Sequence, residues 1–543
     1  MIGHWIDQCS KHHGGCQGNG EAWYPTRLLD LSEAQVVKLI ISKDSSPKGS
    51  YITLSHRWSD QPFKKLTPST ISHLQHGIDV SRLPQVFQDA INIARHLRIT
   101  YLWIDALCIV QDEPGCLDWK IESQTIDKIY SFAFLNVSAT MSLDGSESLF
   151  QERSWKFLLP TEVKLEVNGE VQKRYMQNAN IWDDEITEAP LNRRGWVFQE
   201  RFLARRVLHF GQSQIGWECQ ELEALEMFPN GLPQVCATSS LNKSKVVSRM
   251  AKMKHQSDEA SELDLVDLWQ ELVTAYSRCG LTFPHDKRVA ISGVSRRMQE
   301  ARTDRYAAGM WEKGMAHDLA WWRLSEDREA FPIDRTCSRA PSWSWTSVDG
   351  EIVFPSTFGG LRRQFINVLE MSEQFPDEGS NVQPRASLRI EGWCLPMSFE
   401  RKKQEIIAFT VTDFRFVVNE AAEGATVTLE AEEEEVMLYA QQDRVFTLPL
   451  FATTYHLSGV IIIKDGKLGA YRRVGALEIP ILAEVIQRYD SIAETNRTQV
   501  LIQANQQFTG ELSDRSKILN RPAVKLCHHL LDPTRPQEII DIC

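Results

Sequence analysis

Long apolar runs are missing from this 543-residue chain: the densest, residues 460–463, has only the length of a strand, far below the ~18 residues needed to span a bilayer. The N-terminus also lacks the basic start and the apolar stretch of a secretory signal. We therefore expect no membrane span and a cytoplasmic location.

Positive charge is in deficit, with 60 Lys and Arg against 72 Asp and Glu and a formal net charge of −12. This balance removes the general electrostatic attraction to nucleic acids and anionic membranes, so no nucleic-acid partner is expected.

Cysteine is scarce too: 11 residues fall far below the density of a disulfide-stapled secreted scaffold, and we expect reduced thiols. The sequence has no G-x-x-x-x-G-K-[ST] phosphate loop and no fixed-period repeat, which excludes a P-loop nucleotide switch and a propeller or solenoid.

The first dense block of apolar residues has the pattern of a parallel α/β unit. Residues 51–56 alternate like a strand, apolar residues recur at helical spacing over 83–97, and residues 101–109 form a near-continuous apolar run of buried-strand length. A helix over 118–133 and a third strand at 134–139 are predicted to follow. Strand, helix and strand in this order predict a right-handed crossover in a parallel sheet.

Changes in composition divide the chain into four regions. Residues 1–50 form a Cys- and His-containing appendage, and residues 51–220 form the α/β core, which ends in a predicted hairpin over 206–219. Residues 221–350 are predicted to be mostly helical and residues 351–543 to be β-rich.

Four segments stand out by their motifs. They read YITLSHRW at 51–58, LWIDALCIVQD at 102–112, RGWVFQER at 194–201 and APSWSW at 340–345. In this order they resemble the fungal heterokaryon incompatibility (HET) domain family. The match covers residues 51–220 well and the rest of the chain loosely.

This resemblance implies an effector of heterokaryon incompatibility, which triggers programmed cell death after non-self recognition through self-association or a partner protein. It does not by itself establish a reaction. Two alternatives stay open. One is a non-enzymatic interaction and signalling module, and the other is an accessory protein or enzyme of a small-molecule (secondary metabolite) pathway.

The HET domain is thought to be distantly similar to TIR domains, flavodoxin-like modules of which some cleave NAD with a glutamate on a helix. The resemblance therefore implies a flavodoxin/TIR-like α/β core, with NAD as a substrate hypothesis. Glu122 is the candidate catalytic residue, because its spacing from Ile126 and Ile129 places it on the apolar face of the predicted helix, where burial would raise its pKa. The alternative is an acidic residue in a first helical turn, stabilised by the helix dipole.

Candidate ligand-binding residues follow the predicted strands. Ligands of open α/β sheets bind beyond the carboxyl ends of the strands, so a nucleotide-type small molecule would meet the end of the first strand, where Arg57 could hold a phosphate. A carboxylate buried in a strand at Asp105 must be hydrogen-bonded or functional, and a structural role is favoured. The third segment forms either a second wall of the pocket or a buried polar network, and the network is favoured. The candidate set is Ser55, His56, Arg57, Trp58, Asp105, Arg194, Gln199 and Glu200.

A short cluster near the N-terminus has the spacing of metal ligands: Cys9, His12 or His13, and Cys16. A closed zinc site needs four ligands, and no second C-x-x-C or C-x-x-H pair follows nearby. Free thiols and solvated histidines are therefore favoured and no metal is predicted, while zinc stays the alternative. Cys108, on a predicted buried strand, is expected to pack as a small apolar side chain.

Overall fold

The structure is a computed structural model. It describes residues 1–18, 22–58, 65–111, 117–143, 145, 147–153, 160–167, 170–236, 241–254, 259–324, 339–355, 361–374, 385–402, 405–412, 414–418, 425–431, 433–453, 456–464, 470–480, 526, 530 and 537–542. The four segments with HET-like motifs are called the HET-like segments below. Asp112, the last residue of the second of them (102–112), and residues 481–525 of the predicted β-rich region lie outside these ranges.

The chain folds into two compact units. The first comprises Met1–Ser257 and Cys279–Arg302, and the second comprises Asp258–Arg278 and Thr303–Cys543. The boundaries predicted at 50, 220 and 350 stay predictions.

The first unit mixes helices and strands. Its helices as far as residue 253 are α1 (Ile2–His12), α2 (Ser42–Ser45), α3 (Ile71–His76), α4 (Gln85–His96), α5 (Asp105–Cys108), α6 (Leu117–Ser123), α7 (Ile126–Phe132), α8 (Gly195–Leu203) and α9 (Lys243–Met253). Its strands are β1 (Arg27–Asp30), β2 (Val36–Ile41), β3 (Tyr51–Ser55), β4 (Ile78–Asp79), β5 (Tyr101–Trp103), β6 (Leu135–Ser138), β7 (Thr161–Val167), β8 (Glu170–Met176), β9 (Arg206–Phe210), β10 (Ile215–Cys219) and β11 (Glu223–Leu225). The chain then passes through the second unit as α10 (Glu259–Ser277) and returns as α11 (Val289–Gln299).

A nine-stranded sheet, in the order β11-β10-β9-β6-β3-β5-β1-β2-β4, crosses the first unit. The four neighbouring strands β9, β6, β3 and β5 are parallel, and antiparallel strands extend the sheet on both sides. Counted among themselves in chain order, the parallel strands lie in the order 2-1-3-4. The chain thus leaves β3 toward β5 on one side and comes back to β6 on the other, which creates a topological switch point at the carboxyl end of β3.

Local patterns explain several of these elements. All five residues of β3 are buried, as expected for a central parallel strand covered on both faces. Helix α4 follows Pro84 and buries one apolar face that includes Phe87 and Ala90. The predicted strands at 51–56 and 134–139, the helix within 83–97 and the hairpin over 206–219 are confirmed.

The apolar run 101–109 is not one strand, and that prediction is wrong beyond Trp103. The carboxylate of Asp105 accepts the backbone N–H of Ala106 at 2.7 Å, and the chain turns into the short helix α5. Such local bonds from Asp to the backbone compete with strand pairing. Cys108 therefore lies on a buried helical turn, and burial raises the pKa of its thiol to about 12.

The single helix predicted over 118–133 is also wrong, because two helices, α6 and α7, occupy this segment. Thr125 ends α6: both its backbone N–H and its hydroxyl donate to the carbonyl of Glu122, at 2.9 and 3.0 Å. Glu122 thus lies at the end of one helix, and Ile126 begins the next.

The second unit is rich in strands, as predicted for the C-terminal region. Its remaining elements are β12 (Tyr306–Ala307), β13 (Met310–Trp311), α12 (Met315–Asp318), β14 (Trp322–Arg323), β15 (Ile352–Val353), β16 (Leu361–Gln364), β17 (Asn367–Gln374), β18 (Arg385–Gly392), β19 (Leu395–Lys402), β20 (Glu405–Val411), β21 (Phe414–Val417), β22 (Thr426–Leu429), α13 (Glu433–Ala440), β23 (Val445–Thr453), β24 (His456–Lys464), β25 (Tyr471–Pro480) and β26 (Glu538–Ile542). Eleven of its strands form one sheet. Within the described ranges of the whole chain, no helix combines the length and the apolar character that a membrane crossing requires.

Candidate functional site

A hydrogen-bonded group of polar side chains lies at the switch point of the first sheet. Ser55 is the last residue of β3 and is paired in register with Ser138, the last residue of β6. The Ser55 hydroxyl donates to Oε2 of Glu200 on α8 at 2.5 Å and accepts from Nδ2 of Asn136 at 3.0 Å. The Tyr130 hydroxyl bonds to the same glutamate.

Burial raises the pKa of the Glu200 carboxyl to about 7, although the hydrogen bonds from Ser55 and Tyr130 act in the opposite direction. Near neutral pH this side chain is therefore present in both its protonated and its ionised form. A group with such a pKa can take up and release protons in a reaction, which makes it a functional-site candidate.

A second carboxylate, that of Asp105, lies in the same neighbourhood, since its negative charge contributes to the raised pKa of Glu200. Its side chain is 37% exposed, at the start of the helical turn that follows β5. The indole N–H of Trp58 donates to its Oδ2 at 2.8 Å. The site thus combines one largely buried carboxyl with one open to solvent.

His56 is buried next to both a polar and an apolar side chain. Its Nδ1 is 3.7 Å from Oδ1 of Asp105, and its ring meets Phe87 edge-on, with the centroids 4.9 Å apart. Burial lowers the pKa of the imidazole, so the neutral form is expected at pH 7. Its Nε2 is buried without a hydrogen-bond partner in the described part of the chain.

Three cationic side chains belong to the segments that form this group or contact those segments. Arg194, which precedes α8, donates through Nη1 to the backbone carbonyl of His56 at 2.9 Å. Arg57 is exposed, and the ammonium of Lys65 lies 5.0 Å from the ring centroid of Trp58. Guanidinium and ammonium groups so placed suit an anionic ligand.

Two predicted site residues make their contacts elsewhere. Glu122 is 2% exposed, its Oε1 is 3.8 Å from the guanidinium of Arg27, and burial raises its pKa. Arg27 also pairs with both oxygens of Asp118. The Gln199 side chain accepts the backbone N–H of Gly293, on α11, at 3.2 Å.

Sequence reasoning missed Tyr130 and Asn136 as members of the site. Asn136 had a usable signal, because a buried amide inside an apolar strand needs partners just as a buried carboxylate does. Tyr130 had none, since an aromatic residue on an apolar helix face is ordinary core.

The third HET-like segment divides between the site and a buried polar network. Glu200 reaches Ser55, whereas the neighbouring Arg201 forms a two-bond ion pair with Glu218, at 2.9 Å for each bond. His209 lies 3.3 Å from the same carboxylate, and Lys243 donates to the carbonyl of Arg201 at 2.7 Å.

The N-terminal candidates form a separate cluster. Cys9, His13 and Cys16 lie together, with Cys219 beside them, while His12 is exposed. These residues have no hydrogen bond or ion pair with the Ser55–Glu200 group in the described part of the chain.

Residues 51–200 match the family model described as heterokaryon incompatibility protein (HET). No curated protein and no solved structure matches the chain at a significant level. The matched segment begins with β3 and ends at Glu200, so it contains the whole hydrogen-bonded group at the switch point. Residues 51–200 are thus a HET domain, as the sequence motifs predicted, and a HET domain implies a function related to heterokaryon incompatibility.

Proposed function

We propose that this chain is a cytoplasmic effector of programmed cell death in heterokaryon incompatibility, and that it acts by hydrolysing the nicotinamide–ribose bond of NAD when it self-associates. The observation that carries the reaction is the Glu200 carboxyl, with a pKa of about 7, next to the open carboxylate of Asp105. The parallel-strand order 2-1-3-4 supports the choice of ligand, because flavodoxin-like sheets share this order and bind a nucleotide at the switch point.

The chemistry assigns a role to each carboxylate. Cleavage of the bond from C1′ to the pyridinium nitrogen leaves its electron pair on neutral nicotinamide and positive charge on the ribosyl group. Asp105 would stabilise that charge, and ionised Glu200 would accept the proton of the water that adds to C1′. The products are nicotinamide, ADP-ribose and one proton.

The cations would hold the diphosphate of the substrate. Arg57 follows the end of β3 by two residues, the Lys65 ammonium lies over the ring of Trp58, and Arg194 immediately precedes α8. Arginine binds phosphate oxygens through two parallel N–H bonds, which orients the ligand as well as attracting it.

Nicotinamide release by the purified full-length chain tests this function, measured over a range of protein concentrations that allows self-association. Glu200→Gln and Asp105→Asn should each lower the rate by about 100-fold or more, as expected when an acid–base group is removed. The matched control is Glu300→Gln, an exposed glutamate at the end of α11, which should leave the rate unchanged.

Glu122→Gln belongs in the same series, because Glu122 is the catalytic residue predicted from the sequence. Loss of activity in Glu122→Gln together with full activity in Glu200→Gln would move the catalytic role to Glu122. No nicotinamide release by the wild-type chain at any concentration would overturn the reaction altogether.

A second function, that of an interaction module without a reaction, is favoured by one observation. Ser55 and Tyr130 satisfy the Glu200 carboxyl by hydrogen bonds within the protein, and Asn136 in turn donates to Ser55, as in a structural polar network. In that case the growth arrest caused by expressing the chain would be the same for wild type and for Glu200→Gln, provided that both are present in equal amounts.

A further inference from the structure

Three cysteines and one histidine meet at the edge of the parallel strands. The Sγ atoms of Cys9, Cys16 and Cys219 and a ring nitrogen of His13 all lie within 4.8 Å of one another. The Cys219 sulfur is 3.3 Å from Nδ1 of His13. Ligand atoms of a tetrahedral zinc ion with these ligand types lie about 3.5–3.8 Å apart, so small side-chain movements would complete such a site.

Local structure explains how the first three residues converge. Cys9 lies in the last turn of α1, and the N–H of His13 donates to its carbonyl at 3.3 Å. A short 3-10 helix, Gly14–Cys16, then turns the chain back, with the N–H of Cys16 donating to the carbonyl of His13 at 3.2 Å. The spacing C-x3-H-x2-C therefore places all three side chains on one side of a compact turn.

The fourth residue comes from the sheet. Cys219 ends β10, and its N–H donates to the carbonyl of Leu222 at 2.9 Å as the chain turns toward β11. The carboxylate of Glu221, in this turn, accepts the N–H of Gly15 at 2.7 Å. The two turns are thus held together independently of the four clustered side chains.

The surroundings suit a closed metal site. The three cysteines are fully buried and form no disulfide, and His13 is partly buried. A disulfide would use only two of the thiols and would leave the third sulfur and the imidazole without a role. Four soft or borderline ligands that converge in the interior are the donor set of structural zinc.

The charge of such a site would also be balanced. Three thiolates and a neutral imidazole around Zn²⁺ carry a net charge of −1. The guanidinium of Arg206, on β9, donates through Nε to the Cys9 sulfur at 3.1 Å and through Nη2 to the carbonyl of Cys16 at 3.2 Å. Hydrogen bonds from outside the ligand set orient the ligands and stabilise thiolate charge.

We propose that Cys9, His13, Cys16 and Cys219 bind one zinc ion, which fastens helix α1 to strand β10. The site would be structural, because protein side chains would fill all four coordination positions of the zinc ion and leave none open. Its position agrees with the packing around it: Trp5 of α1 stacks on Trp217 of β10, with ring centroids 6.2 Å apart. This site is independent of the reaction proposed for Glu200.

Metal analysis of the full-length chain tests the site. We expect one equivalent of zinc after purification under reducing conditions without chelators, and less than a tenth of that in Cys219→Ser. Cys279→Ser is the matched cysteine control, because this thiol lies in the same unit outside the cluster, and it should keep its zinc. His13→Ala should lose its zinc at a chelator concentration at which the neighbouring variant His12→Ala keeps its zinc.

Cobalt substitution keeps the test valid if Cys219→Ser does not fold. The wild-type chain loaded with Co²⁺ should show the intense visible bands and the sulfur-to-metal charge transfer of tetrahedral thiolate coordination. Wild-type protein that stays free of zinc after zinc supplementation, or that contains a disulfide between two of these cysteines when freshly prepared, would overturn the site. One equivalent of iron in place of zinc would overturn the choice of metal.

Discussion

The hydroxyl of Ser55 donates a hydrogen bond to the carboxylate of Glu200 at 2.5 Å, across 145 positions of the sequence. This bond joins the end of β3 to α8, and so the first strand of the segment that matches the HET family model to the last residue of that segment. Burial and the charge of Asp105 disfavour ionisation of Glu200, while Ser55 and Tyr130 favour it. The resulting pKa of about 7 has consequences for both stability and activity.

Glu200 should make the folded chain less stable as the pH rises. Its pKa is about 7 in the folded state against an ordinary value of 4.5, so between these values the folded state holds a proton that the unfolded state releases, and the free energy of unfolding falls with pH. Glu200→Gln cannot ionise. The free energy of unfolding of Glu200→Gln, relative to that of the wild type, should therefore rise by about 2 kcal/mol from pH 4 to pH 8. This figure is smaller than the full pKa difference would give, because the Glu200 side chain is only partly buried and solvent screens its charge. Urea unfolding at the two pH values measures this change, and an equal difference at both would contradict it.

NAD hydrolysis, if Glu200 is the base, should increase with pH and reach half of its maximum near pH 7. Ser55→Ala removes a hydrogen bond to the charged form, and such a bond is worth ~1.5 kcal/mol, so the midpoint should move upward by about 1 pH unit. Rates measured from pH 5 to pH 9 for both proteins give the two midpoints. An unchanged midpoint in Ser55→Ala would argue against Glu200 as the group that titrates.

Arg201 should be important for stability rather than for the reaction. Its guanidinium pairs through two bonds with Glu218, whose side chain is 1% exposed. Arg201→Met leaves that carboxylate buried without its main partner and should cost about 3–5 kcal/mol of unfolding free energy.

The control for this prediction is Arg296→Met, because Arg296 forms an ion pair with Asp127 at the surface, with its own side chain 43% exposed. Pairs of this kind contribute about 0–1 kcal/mol. Chemical denaturation of both variants gives the comparison, and equal losses would show that the Arg201 pair is not effectively buried.

Trp345, in the fourth HET-like segment, should stabilise the second unit by packing. The side chain is 1% exposed, and its indole N–H donates to the carbonyl of Gly309 at 2.8 Å. Trp345→Ala should cost about 3–5 kcal/mol through the cavity that it leaves. Trp345→Phe should cost less than Trp345→Ala, because Trp269 also donates to that carbonyl, at 3.2 Å. The order of thermal midpoints tests this, and an equal loss in both variants would place the main contribution in the hydrogen bond.

The sequence was sufficient wherever local patterns decide the structure. Alternation predicted β3, helical spacing predicted α4, and a short polar turn predicted the hairpin of β9 and β10. It was insufficient where one pattern fits two structures. The apolar run 101–109 suits a buried strand as well as a strand followed by a helical turn, and the bond from Asp105 to the backbone of Ala106 selects the second.

The reasoning that selected Glu122 assumed one continuous helix over 118–133, whereas the structure has two. Periodicity placed Glu122 on a helix face shared with Ile126, but Thr125 ends that helix, and Glu122 faces Arg27. The sequence predicted Glu200 as one of eight ligand-binding candidates and did not single it out as an acid–base group. The raised pKa of Glu200 depends on burial and on the charge of Asp105. Neither can be predicted from the residues next to Glu200 in the sequence.

The amino-acid sequence alone identified the HET motifs, the α/β character of the first region and the β-rich character of the last, because these follow from residue types and short-range spacing. The partners of Glu200, and the meeting of Cys219 with Cys9, His13 and Cys16, came from the folded chain. Those contacts join residues far apart in sequence, and they depend on which strands lie side by side in the sheet. Strand order is set by the packing of the whole unit, which no local pattern encodes.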